Sequence, residues 1–94
     1  MNYYLISYDL NGTNKDYSSL FDEIEKINTA PKCKPLESVW LIKSTLSAID
    51  ISKRIRSVVD KDDEFIILQI SELNWSSESK KCKLRSTIFK DVKY

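Results

Sequence analysis

The chain begins with a strand-like segment that ends at an acidic residue. Residues 3–8 (YYLISY) are rich in aromatic and aliphatic side chains, residues 9–12 (DLNG) are turn-like, and a helical pattern follows. A short apolar run bounded by turn residues predicts a strand, and the chain must then reverse into a helix. This order places the Asp9 carboxylate at the end of a strand. There it can bind a divalent metal, cap a turn, or hold a loop by accepting backbone N–H bonds.

Two helices are predicted from the spacing of apolar residues. The first begins near residues 14–16 and ends by Pro31, and the second begins at a capping box formed by Ser47 and Asp50. Their inward-facing positions are predicted to be Tyr17, Leu20, Phe21, Ile24 and Ile27 in the first helix and Ile51, Ile55, Val58 and Val59 in the second. The opposite face of each helix is polar, so each helix is expected to cover one side of a sheet.

Residues 36–44 and 65–70 supply the remaining strand-like segments. The nearly continuous apolar run 65–70 predicts that both faces of that strand are covered. If residues 33–38 and 39–45 form two short strands joined by a bend, the order becomes βαββαβ, the ferredoxin-like arrangement. We therefore predict an α+β fold with one antiparallel sheet.

Two helices can cover only one face of such a sheet. The other face is expected to expose apolar side chains, and a homodimer would bury the same patch on both copies. The predicted dimer interface consists of Tyr4, Ile6, Tyr8, Trp40 and Ile42.

The composition excludes several kinds of catalysis. The 94 residues include no histidine, so Ser-His-Asp and Cys-His catalysis and histidine-containing zinc sites are impossible within one chain. The single glycine, Gly12, excludes a P-loop and a dinucleotide-binding fingerprint. An enzyme built from this chain must use carboxylates, hydroxyls, lysines or a metal.

The charge is unevenly distributed along the chain. Residues 1–75, the predicted ferredoxin-like domain, carry 9 basic and 12 acidic side chains, whereas residues 76–94 carry 6 basic and 2 acidic ones. The second segment is predicted to be a basic C-terminal tail or a short docking element. Basic tails bind nucleic acid through phosphate neutralisation, but many only keep a terminus solvated. The candidate nucleic-acid contacts are Asn11, Lys15, Lys53, Arg54, Arg56, Lys80, Lys81, Lys83 and Arg85.

The chain is expected to be cytoplasmic and to make no membrane contact. It has no run approaching 18 apolar residues and no secretory leader. Cys33 and Cys82 are far apart and have no companion at metal-ligand spacing. We therefore expect two reduced thiols rather than a zinc site or a disulfide.

A likeness to a known family is carried by five segments: residues 4–11 (YLISYDLN), the helix after them, residues 37–41 (ESVWL), the second helix, and the Asp62-Asp63 turn before the last strand. Together these segments resemble the Cas-two family. Members are small dimeric CRISPR-associated proteins of the spacer-acquisition complex, together with stand-alone relatives, and the likeness covers about residues 3–72. The resemblance implies that Asp9 lies near its mate at a dimer axis and is the catalytic, metal-binding residue of a nuclease.

The chain also departs from that pattern. Family members tend to carry arginine or lysine soon after the strand-one aspartate, whereas here residues 11–14 (NGTN) precede a single basic residue, Lys15. The segment after Trp75 lacks an apolar strand of the kind that holds a partner integrase. Both departures favour a stand-alone relative, such as one from a mobile element or phage.

A magnesium site at Asp9 is also compatible with coordination chemistry, independently of the family resemblance. Magnesium takes one or two carboxylates and keeps several waters, so two copies of Asp9 across a dimer axis would suffice. Asp63 and Glu64 precede the last strand and are expected to approach Asp9 in the same chain. A magnesium ion there would support phosphodiester hydrolysis, with Ser7 and Asn11 orienting the scissile group.

Three functions remain open from the sequence. The first is a magnesium-dependent nuclease acting on RNA or DNA. The second is a non-catalytic nucleic-acid-binding dimer. The third is a protein-interaction module, such as a defence, counter-defence or toxin-like regulator, with a host defence or phage protein as its partner.

Overall fold

The computed structural model describes residues 1–11, 17–71, 78–84 and 87–89. The chain is a small α+β protein in which strands and helices alternate. The elements are β1 (Asn2–Asp9), α1 (Ser18–Ile27), β2 (Val39–Ser44), α2 (Ala48–Arg56) and β3 (Glu64–Ile70). The predicted start of the first helix at residues 14–16 lies outside the described residues.

The sheet has three antiparallel strands in the order β2-β1-β3. Ile6 in the central strand lies opposite Trp40 on one side and Ile67 on the other. α1 connects β1 to the edge strand β2, and α2 connects β2 to the other edge strand, β3. This order is compatible with a ferredoxin-like arrangement.

The predicted fourth strand is not a strand in the structure. The chain leaving α1 follows the outer edge of β2, where Thr29 N–H donates to the Lys43 carbonyl at 2.7 Å and Leu41 N–H donates to the Cys33 carbonyl at 2.9 Å. Pro31 and Pro35 supply no N–H group, so a regular ladder cannot continue through them. Within the described ranges, the sheet therefore has three strands.

The predicted helix faces are confirmed. Leu20, Ile24 and Ile27 are buried in α1, and Ile51 and Ile55 are buried in α2. The Ser47 hydroxyl accepts a hydrogen bond from the Asp50 backbone N–H at 3.2 Å, as the capping box predicts. Tyr17, Phe21, Val58 and Val59 are partly buried against the same core.

The predicted dimer residues face the helices, so that prediction is wrong. Tyr4, Ile6, Tyr8, Trp40 and Ile42 are buried within the single chain and form one cluster with the inward-facing helix residues. Their polar atoms are also satisfied, since the Tyr4 hydroxyl donates to the Leu46 carbonyl at 2.6 Å and Trp40 Nε1 donates to the Tyr8 hydroxyl at 3.2 Å. Alternation along a strand shows which residues share a face but not which face the helices cover.

The other face of the sheet is covered in part by residues 78–84 and 87–89, which we call the C-terminal cover. Its apolar side chains form a second cluster with the sheet residues Tyr3, Leu5, Leu41 and Ile70. The members that are buried are Cys33, Leu41, Cys82, Leu84, Ile88 and Phe89. The predicted boundary at residues 75/76 falls in a segment outside the described residues.

Cys33 and Cys82 form a disulfide, so the expectation of two reduced thiols is wrong. The bond joins the segment beside β2 to the C-terminal cover, which are 49 residues apart in sequence. The sequence did not indicate that Cys33 and Cys82 are close, because they meet only when the C-terminal cover packs back across the sheet.

The prediction that both faces of the last strand are covered is also wrong. Ile66 and Leu68 of β3 are 57% and 55% exposed. The C-terminal cover reaches the central strand but leaves this part of the edge strand open. Neither described helix is long and apolar enough to span a membrane.

A candidate acidic site at the end of the central strand

Two carboxylates meet where β1 ends. Asp9 is paired directly with Glu64 in the antiparallel register, and both residues are exposed. Directly opposed residues of an antiparallel pair share a face, with Cβ atoms about 5 Å apart. Like charges at such positions repel one another, so the pair favours any cation that can lie between or beside them.

An open cleft surrounds this pair. Its volume is about 240 Å³, and its lining comprises Ser7, Tyr8, Asp9, Glu64, Phe65 and Ile66. Ser7 lies opposite Ile66, one step along the ladder on the same face as Asp9. A hydroxyl and two carboxylates are therefore available beside an exposed apolar side chain.

Asp63 has a different role from the one predicted for it. Its buried carboxylate accepts hydrogen bonds from the backbone N–H of Asn11 at 2.7 Å, from the backbone N–H of Asp60 at 2.8 Å, and from the Tyr17 hydroxyl at 3.4 Å. These bonds join the loop after β1 to the loop before β3. The carboxylate holds the site's two loops together.

A sequence signal for this difference exists in the strand alternation. Asp63 has the same parity as Phe65 and Ile67, whose partners in β1 are the core residues Tyr8 and Ile6. Glu64 has the parity of the exposed Ile66. The residue type alone suggested two equivalent acids, whereas the strand period assigns one to the core side and one to the open side.

Asn11 also belongs to this loop structure. Its side-chain amide donates to the Asp9 carbonyl at 3.4 Å and to the Asp62 carbonyl at 3.3 Å. The predicted role of Asn11 in orienting a phosphate stays a prediction. Its observed contacts fix the backbone on both sides of the carboxylate pair.

The predicted phosphate contacts on α2 differ in their surroundings. Lys53 is exposed, Arg54 pairs with Glu23 at 3.4 Å, and Arg56 donates through Nη2 to the carbonyls of Asp60 and Asp63 at 2.7 and 2.9 Å. Arg56 also lies over the Phe65 ring, 5.1 Å from its centroid. Arg56 therefore stabilises the loop that carries Asp63.

The predicted cations of the tail lie on the other side of the sheet from α2. Lys80, Lys81 and Lys83 are exposed in the C-terminal cover, and Lys81 forms an ion pair with Glu37. Lys15 and Arg85 lie outside the described residues. Because the sheet separates α2 from the cover, the structure does not bring the two groups of cations onto one surface.

Two titratable groups near the site have shifted pKa values. Burial raises the pKa of the Tyr8 phenol; the hydrogen bond from Trp40 opposes this shift, and the Glu37 charge adds to it. The hydrogen bond and charge of Lys81, with the charge of Lys34, lower the pKa of Glu37. The Tyr8 shift arises from burial in the core, and the Glu37 shift arises from the ion pair that attaches the C-terminal cover.

The carboxylate pair matches the donor set that magnesium prefers. Among the described residues, no group of three histidine, cysteine or acidic side chains is placed to hold a metal. Magnesium does not require three, since it is commonly held by one or two carboxylates and retained waters. Asp9 and Glu64 are the residues that could hold it.

No protein-family model, curated protein or solved structure matches this chain. The function is therefore inferred from the geometry of the acidic site and of the surface beside it.

Proposed function

We propose that the chain is a homodimeric, Cas-two-like protein of prokaryotic or phage origin that handles nucleic acid and has a weak magnesium-dependent nuclease activity centred on Asp9. One observation carries the proposal: the carboxylate pair Asp9 and Glu64 shares a sheet face with the exposed apolar residues Ile66 and Leu68. A surface that joins two copies through those side chains also brings their acidic residues together.

The proposed dimer interface lies on the open part of the sheet. Ile66 and Leu68 each expose more than half of their surface, and Leu36 is exposed beside the same face. Exposed apolar side chains grouped on a sheet commonly mark an interface. A two-fold contact would bury this patch on both copies, in place of the core residues that the sequence suggested.

The distance from the patch to the acids is short. Glu64 lies two residues from Ile66 along β3, which is about 7 Å at the rise of a β-strand. A two-fold axis near Ile66 would therefore place the carboxylate pairs of the two copies on opposite sides of a narrow gap. Each copy then contributes Asp9 and Glu64 to one shared region.

The chemistry follows from these side chains. Asp9 and Glu64 would hold the cation, and the Ser7 hydroxyl on the same face would donate to a phosphate oxygen. A bound magnesium ion would supply an activated water and polarise the phosphate. Hydrogen bonds from Asn11 to Asp63 and to the Asp62 carbonyl join the backbone next to Asp9 to the backbone next to Glu64, which keeps the two carboxylates in place.

The test is cleavage of single-stranded RNA and of duplex DNA with and without magnesium, measured beside the molar mass in solution. Asp9→Asn should abolish magnesium-dependent cleavage and leave the dimer intact. Asp22→Asn is the matched control, since Asp22 is an exposed acid on α1, which packs on the opposite face of the sheet from Asp9. Magnesium-dependent cleavage that survives Asp9→Asn contradicts the proposed activity.

The dimer surface is tested in the same preparation. Ile66→Glu should convert the dimer to a monomer and reduce cleavage, whereas Ile49→Glu should do neither. Ile49 is 68% exposed on α2, in the helix layer. If the wild type and both variants all have the molar mass of a dimer, the dimer uses another surface.

The exposed apolar patch also supports a second candidate. A non-catalytic protein-interaction module, such as a defence, counter-defence or toxin-like regulator, would use Ile66 and Leu68 to bind another protein. A monomeric wild-type chain without cleavage activity, whose capture of a host or phage protein is lost in Ile66→Glu, would favour this candidate.

A further inference from the structure

We propose that the Cys33–Cys82 disulfide is a redox latch: its reduction releases the C-terminal cover from the sheet while the helix-covered core stays folded. The latch is independent of the proposed nuclease, since neither Asp9 nor Glu64 belongs to the disulfide or to the cluster under the cover. It goes beyond a stabilising role for the disulfide because it assigns two distinct structures to the oxidised and reduced chains.

The two cores are separate in the part of the chain that the structure describes. The buried cluster on the helix side and the buried cluster under the C-terminal cover share none of these residues, because they lie on opposite faces of the same strands. Ten described residues are buried in the helix-side cluster, including the fully buried Trp40 and Tyr4. Removing the cover therefore leaves that cluster's own contacts in place.

The described residues of the C-terminal cover contact the sheet through side chains. Among these residues the backbone hydrogen bonds are local, since the N–H groups of Thr87 and Phe89 both donate to the Leu84 carbonyl. Within the described ranges, no backbone hydrogen bond joins the cover to a strand. A segment outside the hydrogen-bonded ladder can leave without breaking the sheet.

Among the described residues, polar and aromatic contacts also hold the cover in place. The Ser79 hydroxyl donates to the Pro35 carbonyl at 2.6 Å, Lys81 pairs with the exposed Glu37, and the Phe89 ring packs edge-on against Tyr3 at 5.3 Å between centroids. The ion pair is at the surface and contributes little. The disulfide is therefore the contact that cannot dissociate by thermal motion, and it holds the cover near the sheet whenever the apolar contacts open.

The chemistry of release is thiol–disulfide exchange with a small thiol. A dithiol such as dithiothreitol attacks the Cys82 sulfur as a thiolate, the S–S bond breaks, and Cys33 leaves as a thiolate that takes a proton. The second thiol of the reagent then attacks the mixed disulfide and frees the Cys82 thiol. The protein gains two electrons and two protons, and the reagent becomes a cyclic disulfide.

Burial of the two cysteines limits the access of a thiol to the disulfide. Cys33 is fully buried and Cys82 is 6% exposed, so a thiol reaches the bond only after residues 78–82 lift. The Ser79 contact opposes that motion. We therefore expect Ser79→Ala to speed reduction of the disulfide, with no change for the matched variant Ser71→Ala, an exposed serine after β3.

The test is hydrogen exchange on the full wild-type chain, oxidised and then in dithiothreitol. In the reduced chain, the amides of Thr87 and Phe89 should exchange at least about tenfold faster, while the amides of β1 and of both helices keep their protection. Binding of an apolar-surface dye should rise, because Tyr3, Leu5, Leu41 and Ile70 become accessible. The double variant Cys33→Ser, Cys82→Ser should reproduce the reduced pattern and ignore dithiothreitol.

Two results would overturn the latch. Unchanged protection of Thr87 and Phe89 after complete reduction would mean that packing alone holds the cover. Loss of protection throughout the chain would mean that the disulfide stabilises one cooperative unit. The wild-type measurement decides between these results even if the double variant does not fold, since it needs no substitution.

Discussion

The same three strands present apolar side chains on both faces of the sheet, but different parts of the chain cover the two faces. The helix-covered face is closed by α1 and α2, whose apolar stripes pack on Tyr4, Ile6 and Trp40. The opposite face is closed only in part, by an irregular segment joined through a disulfide. Periodic elements bury a whole sheet face, whereas an irregular segment leaves the edge strand open, and the open part is where the acidic site and the proposed interface lie.

The largest expected difference between the faces comes from truncating one large side chain on each. Trp40→Ala should lower the free energy of unfolding by about 4 kcal/mol, because it empties a fully buried position. Leu68→Ala, on the open face, should change it by less than about 0.5 kcal/mol in the monomer. Urea unfolding at low protein concentration measures both. Equal losses would show that the open face is covered in solution.

The next effect concerns two neighbouring acids in the loop before β3, the buried Asp63 and the exposed Asp62. Asp63→Ala should cost about 3 kcal/mol, because it leaves two backbone N–H groups without their charged acceptor. Asp62→Ala, at an exposed neighbouring acid, is the control and should cost less than about 0.5 kcal/mol. If the two variants have equal stability, Asp63 does not hold the loops together.

The smallest effect is a pH dependence on the helix-covered side. Burial raises the pKa of Tyr8 above its ordinary value near 10, so Tyr8 ionises more readily in the unfolded chain. Its contribution to stability is complete below pH 10 and is lost as the pH rises through the higher pKa of the folded state. In Tyr8→Phe this loss is absent.

The measurement is the unfolding free energy of both proteins from pH 7 to 11. At pH 7 the variant should be about 1 kcal/mol less stable, since Trp40 Nε1 loses its acceptor. That gap should narrow above pH 10. A gap that stays constant over the range would show that the Tyr8 phenol is not buried against Trp40 in solution.

Much of the fold could be predicted because its signals are local. The apolar spacing of α1 and α2, the Ser47 cap and the three main strands depend on residues near one another in sequence, and the structure confirms them. The position of Asp9 at the end of the central strand is equally local. The proposed roles of Asp9, of the basic residues and of the dimer stay predictions.

The errors share one physical cause, which is contact between distant parts of the chain. Strand alternation grouped Tyr4, Ile6 and Tyr8 together, but only the packing of the helices decided that this group is the core. The pairing of Cys33 with Cys82 depends on a segment that returns across the sheet from 49 residues away. Asp63 and Glu64 are neighbours with the same charge, and the sheet turned one inward and one outward.

The amino-acid sequence by itself determined the alternation of strands and helices and excluded chemistry based on histidine or glycine-rich loops, because periodicity and composition act within a few residues. The tertiary structure decided which face is the core and what covers the second face, and together with the strand alternation this determines which acid is available beside Asp9. Those outcomes depend on the burial of apolar surface between segments far apart in sequence, which no local pattern records.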